Sequence, residues 1–211
     1  MSQVIYRELK TEDYPTVKKL ISEAFGFNTL IADPKFLDNL LTVYLQTCIL
    51  DSSFGQIAEK DKKIIGIILG DAKIDKHHLR KPHNFLSTGS TILKLAFKLI
   101  SKEKRQAMKE FGKVQKAYKE LITGKEKDFQ GCIQLFIVSS TAQGLGIGST
   151  LLTDLFHYMN KMKVQSLYVY TDSNCNYPFY ERKKFIRLAE KKVNFDSSHA
   201  ALDVYLYEYI F

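Results

Sequence analysis

The chain has no tryptophan, four prolines and three cysteines in 211 residues. So few prolines exclude a long proline-rich linker. Cys48, Cys132 and Cys175 lie far apart, with no CxxC pair, so neither a disulfide framework nor a zinc module is expected. Long apolar runs are also missing. The clusters at 64–69 and 92–100 fall well short of a membrane span. The first residues, MSQVIYRELKTEDY, lack the apolar stretch of a signal peptide. Together these absences predict a cytoplasmic protein with reduced thiols and no stable membrane association.

Acidic residues are outnumbered by basic ones, 23 to 31, for a net charge of +8. That excess favours an anionic ligand or surface but selects none, so nucleic acid, acidic lipid and a phosphorylated cofactor all stay open. It is concentrated. Residues 94–127 hold eleven Lys/Arg and four Glu, which leaves the rest of the chain near neutral. The hydrophobic fraction is 45%, with 14 Phe and 12 Tyr, enough for a sizeable core.

Periodicity orders the elements. Residues 4–9 read as a strand. Thr11 is expected to cap a helix with Glu12 and Asp13 in its first turn, and Gly26 to close it. Asp33-Pro34 opens a second helix as cap and first residue. Two β-rich runs flank Lys60-Asp61-Lys62 and predict a hairpin, whose second strand is apolar on both faces and so belongs inside the sheet. Residues 92–100 look helical, with Lys94 and Lys98 one turn apart, and a further helix covers 105–122. A strand at 135–138, a helix to about Lys163, a strand at 167–170, a short helix at 176–183 and strands at 185–195 and 202–211 follow. The order predicts an α/β (α+β) fold, a mixed sheet covered by helices.

The chemistry centres on QLFIVSSTAQGLGIGS, residues 134–149. A glycine-rich turn between a strand and a helix leaves helix N–H groups bare, and removes Cβ atoms that would keep a ligand away. With the positive end of the helix dipole this suits a phosphate or pyrophosphate. A tight packing turn is the structural alternative. A Walker A loop is excluded because no Lys precedes Ser149-Thr150. The spacing of Gly144, Gly146 and Gly148 also fails the GxGxxG dinucleotide fingerprint.

Val138 followed by Gln143-x-x-Gly146-x-Gly148 resembles the acyl-CoA loop of the GNAT superfamily of N-acetyltransferases. The stretch 176–185, NYPFYERKKF, resembles that family's second motif. The resemblance implies a mixed, mostly antiparallel GNAT-like sheet flanked by helices. It implies one domain over 1–211, with a basic helical insertion at about 74–128 between strands 3 and 4. It implies an acetyl-CoA-dependent N-acetyltransferase whose acceptor, a small-molecule or peptide primary amine, attacks directly in a ternary complex. Phe136 and Val138 would offer backbone groups to pantetheine. The N–H groups of Gln143, Gly144, Leu145, Gly146, Ile147, Gly148 and Ser149 would hold pyrophosphate. Asn174 and Asn176 are further candidate cofactor contacts, the family's Asn position being Ser173 here. Tyr180 matches the general acid.

The family pattern is incomplete at two points. Where many relatives carry a strand Glu as base, this chain has Cys132 and Gln134; Glu23 is a remote candidate. Lys184 stands in place of the usual Gly before Phe185, and a turn of altered shape is expected. His77, His78 and His83 lie among cations and read as a solvated loop, so no metal is expected. Cys175 could in principle be acylated, against a plain buried role. Two other readings remain: a non-catalytic acetyl-CoA-binding regulatory protein, and a nucleic-acid or membrane-surface module acting through the basic insertion. Against the last, no RNP-like aromatic motif appears. The tyrosine-rich tail, 205–211, could pack in a homodimer.

Overall fold

The computed structural model describes residues 3–77, 79, 101–196 and 200–211. The expected helix at 92–100, with Lys94 and Lys98, lies outside the described residues. Chain order is β1 (Ile5–Glu8), a 3-10 turn (Thr11–Asp13), α1 (Tyr14–Ala24), α2 (Phe27–Leu30), α3 (Pro34–Leu50), β2 (Phe54–Lys60) and β3 (Lys63–Ala72). Then follow α4 (Lys102–Ile122), β4 (Gly131–Val138), a 3-10 turn (Ser140–Ala142), α5 (Ile147–Lys161), β5 (Ser166–Asp172), α6 (Pro178–Arg182), β6 (Ile186–Asn194) and β7 (Ala201–Ile210).

The sheet runs β1-β2-β3-β4-β5-β7-β6, and only the β4–β5 pair is parallel. It is the mixed, mostly antiparallel sheet that the sequence implied. The β2–β3 hairpin turns on Asp61 and Lys62, both at positive φ (51° and 60°), as a two-residue type I′ turn requires. Asp33 caps α3 as expected, its carboxylate accepting the Phe36 N–H at 3.0 Å. Thr11 does not cap α1. Residues 11–13 form a 3-10 turn instead, and Asp13 reaches back to accept the Lys10 N–H at 2.8 Å.

Helices cover both faces of the sheet. On one face α5 lays Leu151, Leu155 and Met159 against Ile68, Ile133, Leu167 and Val169. Each such side chain contributes about 1.5–3 kcal/mol by leaving water. Gly66 and Gly70 let α5 sit close: a Cβ on Gly70 would stand 2.7 Å from a Leu155 methyl. On the other face α1 and α3 pack Val17, Ile21, Leu45 and Ile49 on Ile57, Ile67 and Leu69. There, too, α4 places Ala117 and Leu121 over Leu202, Val204 and Leu206 of β7. Tyr205 and Tyr207, the alternate residues of that strand, are buried on the α5 side. Residues 204–207 are therefore covered on both faces within their own chain, while Ile210 stays exposed. Tyr209 and Phe211 also pack on Phe156.

Candidate active site

The parallel ladder between β4 and β5 is short. It pairs Gly131–Ile133 with Leu167–Val169 and then stops, although β4 runs on to Val138 and β5 to Asp172. A bulge explains the parting. Against β3, Leu135 faces Leu69 and Ile133 faces Gly70, so Gln134 is skipped. One extra residue bends a strand and increases its twist. Beyond it the two strands diverge into a wedge, and β4 turns backbone groups toward that gap without a partner in β5.

The loop 143–149 closes one end of the wedge. Gln143 is extended, Gly144 and Gly146 are left-handed (φ 79° and 78°), and Gly146 is the N-cap of α5. No side chain caps this helix start. A Cβ on Gly144 or Gly146 would meet nothing within 4 Å. Glycine is thus needed there for its backbone angle, and the space outside is open. A Cβ on Gly148 would lie 3.4 Å from both Phe136 and Val138, so this residue borders the wedge directly. Of the predicted loop residues, Ile147 has its side chain in the core and Leu145 is exposed. Only their N–H groups can serve an anion. Uncapped amides on a 15-residue helix, beside open space, form a donor set suited to a diphosphate.

Tyr180 lies on α6, only 8% exposed, ringed by Phe136, Phe179, Phe185 and Tyr207 at centroid distances of 5.3–6.4 Å. Its hydroxyl makes no hydrogen bond among the described residues. Burial pushes its pKa well up, and Cys175 and Asp172 add to the shift. It is a donor at neutral pH and cannot act as a base. Arg187 fixes α6: it donates to Glu181 (2.8 Å) and to the Tyr207 hydroxyl (2.9 Å) and packs on the Tyr205 ring (4.2 Å). The turn after α6 keeps its left-handed shape. Lys184 has φ 65°, so the expected change of turn shape does not occur and the residue carries the strain that Gly would avoid.

The other predicted groups are less drawn in. Asn174 and Asn176 are exposed in the β5–α6 connection. The thiol of Cys175 is pushed up to about 12, chiefly by burial and then by Asp172. Cys132 is also raised to about 12 by burial, and the Gln134 amide donates to its sulfur at 3.2 Å. Glu23 is exposed on α1 beside Lys19. No group of three metal-ligating side chains occurs among the described residues. His77 is exposed, 3.3 Å from Asp75, while His78 and His83 lie outside the described residues.

Sequence reasoning missed three contributors. Lys183 sits over the Phe179 ring at 5.9 Å, and that ring borders Gly148, which brings a cation to the loop. Asp172 ends β5, and alternation along that strand sets it on the face of Tyr168 and Tyr170. Tyr118 of α4 stacks on Tyr170 at 4.6 Å, a long-range contact with no local signal.

A bulged β4 parting from a parallel β5, with a glycine loop and helix start at the gap, defines the fold class of CoA-dependent N-acetyltransferases. Comparison with known proteins agrees. The model of the Acetyltransferase (GNAT) family matches residues 94–185. An N-acetyltransferase structure from Staphylococcus aureus Mu50 aligns with a TM-score of 0.57 and 14% identity, covering 99% of both chains. A ribosomal-protein-alanine N-acetyltransferase from Brucella melitensis gives 0.56 and 16%, covering 98% of this chain and 99% of that one. An agmatine N-acetyltransferase gives 0.58 and 9%, covering 98% and 99%. No curated protein matches the sequence. The chain has the fold of these acetyltransferase structures, and its residues 94–185 match the GNAT family model. No helix among the described residues is long and apolar enough to cross a membrane.

Proposed function

We propose that this chain is an N-acetyltransferase, folded as one domain over 1–211, that moves an acetyl group from acetyl-CoA to a primary amine by direct attack. The observation that carries this reading is the uncapped α5 N-terminus beside the wedge, with the buried Tyr180 hydroxyl at the wedge's other wall. Acetyl-CoA supplies an activated thioester. The N–H groups from Gln143 through Ser149 hold its pyrophosphate, with Lys183 adding charge. The free backbone edge of β4 near Phe136 and Val138 receives the pantetheine arm, with Asn174 and Asn176 at its rim.

Tyr180 hydrogen-bonds the departing sulfur. A phenol above pKa 10 does not fully protonate a thiolate near 8.5, so its main contribution is stabilisation of developing charge. Cys175 stays a thiol at neutral pH and is a poor nucleophile, which favours direct attack over an acyl-cysteine. With no strand Glu, the amine's proton leaves through water. Three cysteines without a disulfide suit a cytoplasmic setting.

The test is thiol release from acetyl-CoA across a panel of amines. We expect turnover with at least one, and Tyr180→Phe should lower kcat about 100-fold while acetyl-CoA still binds. An unchanged rate in that variant removes the role given to Tyr180. Binding of acetyl-CoA with no turnover on any amine would favour the regulatory alternative.

A further inference from the structure

Tyr168, Tyr170 and Asp172 project on the sheet face away from α5, by the alternation of a strand. Leu167 and Val169 point the opposite way, into the core beneath α5. The register agrees: Tyr170 stands opposite Leu206 and Asp172 opposite Val204, both covered by α4. Asp172 therefore emerges at the open end of the wedge, on the side opposite the glycine loop. Its Oδ1 accepts the Asn174 N–H at 2.9 Å, which orients the carboxylate.

Aromatic rings extend from this carboxylate. Tyr118 stacks on Tyr170 at 4.6 Å. Two turns earlier on the same side of α4, Phe111 meets Tyr44 of α3 (6.4 Å) and Phe27 of α2 (6.1 Å). Tyr44 and Tyr118 keep solvent-accessible surface. Tyr44 is held edge-on by Phe25 and Phe27 as well as by Phe111. These half-buried rings of α3 and α4 form a partly open aromatic wall, which we read as one side of a cleft. Tyr118, stacked on Tyr170 two residues before Asp172, stands beside the wedge mouth.

The roof of this cleft is tied down. Lys109 and Lys113 pair with Asp196 at 3.1 and 2.7 Å, Lys113 donates to the Asn194 carbonyl, and Lys191 pairs with Glu120. Helix α4 is thus fastened along its middle and at its C-terminal end to β6 and the residues just after it. A fixed roof over aromatic walls suits a small molecule better than a polypeptide.

We propose that this cleft is the acceptor subsite, and that its acceptor is a small primary amine bearing an aromatic ring. The ring would lie against Tyr44 and Tyr118, with the ammonium at Asp172. The proposal rests on the acetyltransferase reading above. Tyr170, on which Tyr118 stacks, lies about 6.6 Å along β5 from Asp172, so a ring against Tyr118 and an ammonium at Asp172 are one short linker apart. Asp172 is a positioning group. Its worth lies in holding the nitrogen beside Tyr180, where the thioester sulfur would be.

The experiment compares 2-phenylethylamine, n-hexylamine, spermidine and an alanine-terminated peptide by thiol release, using the full chain. We expect kcat/KM for 2-phenylethylamine at least tenfold above each of the others. Tyr118→Ala should raise its KM at least fivefold with kcat within twofold, and Tyr118→Phe should restore it. Asp172→Asn should raise the same KM at least tenfold. Acetyl-CoA affinity by calorimetry should stay constant in all three. If Tyr118→Ala fails to fold by circular dichroism, Tyr44→Leu gives the same reading. Preference for hexylamine, spermidine or the peptide overturns the proposal and leaves the acetyltransferase reading intact. So does an unchanged KM in folded Tyr118→Ala. Failure to bind acetyl-CoA overturns both.

Discussion

The Tyr207 hydroxyl donates to Glu181 at 2.7 Å, and Arg187 donates to both of them. Glu181 neighbours Tyr180 on α6, so this triad sets the angle at which the Tyr180 ring meets the wedge. Burial, then Glu181, raises the Tyr207 phenol to about 12, with Arg187 opposing. A raised pKa means the folded state holds the proton more tightly. The stabilisation is whole below about pH 10 and is lost as pH rises toward 12. Tyr207→Phe should therefore cost about 0.5–1.5 kcal/mol at pH 7, read by urea denaturation. It should also lower kcat several-fold with acetyl-CoA affinity kept. Unchanged kcat would mean that α6 does not depend on the triad.

Gly146 and Gly124 make a matched pair. Both are left-handed (φ 78° and 83°), and a Cβ on either meets nothing within 4 Å. Alanine at either position should cost about 1–2 kcal/mol of stability from backbone strain alone. Only Gly146→Ala should also weaken acetyl-CoA, by at least tenfold in calorimetry. Equal affinities in the two variants would dissociate the glycine loop from the cofactor.

Lys184 holds φ 65° after α6. Lys184→Gly removes roughly 1–2 kcal/mol of left-handed strain and adds about 0.5–1 kcal/mol of unfolded-state entropy. The net expectation is a gain of up to about 1 kcal/mol in thermal or urea denaturation. A loss would show that the Lys side chain contributes more than its strain.

Asp13 is held below the ordinary carboxylate value, chiefly by hydrogen bonds from Arg7, against the cost of burial. The unfolded chain takes up the proton first as pH falls. The stabilisation is therefore present above about pH 4 and drains away below it. Arg7→Met should cost about 1–2 kcal/mol at neutral pH, since the pair is partly exposed, and should flatten the decline below pH 4. Far-UV circular dichroism against pH measures this. An acid limb as steep as the parent's would place its origin elsewhere.

Much of the fold was legible because local rules carried it. Asp33-Pro34 announced α3, the charged turn at 61–62 announced the hairpin, and the β3 run announced a central strand. The loop at 143–149 could be read from spacing, since left-handed glycines at a helix start are a local requirement. Thr11 misled because Asp13 found Arg7 and Lys10 as partners, and those contacts outweigh a helix-cap preference.

By itself the sequence determined most of the described secondary elements, the glycine loop and the motif around Tyr180. Each depends on backbone angles and side chains within a few residues. Tertiary structure alone decided the Gln134 bulge that opens the wedge, the Lys184 turn kept against its own strain, and the face of Asp172 that meets Tyr118. These depend on strand register and on a helix brought across the sheet from far along the chain. Such contacts form because they bury surface in the folded molecule, and no window of local sequence records that.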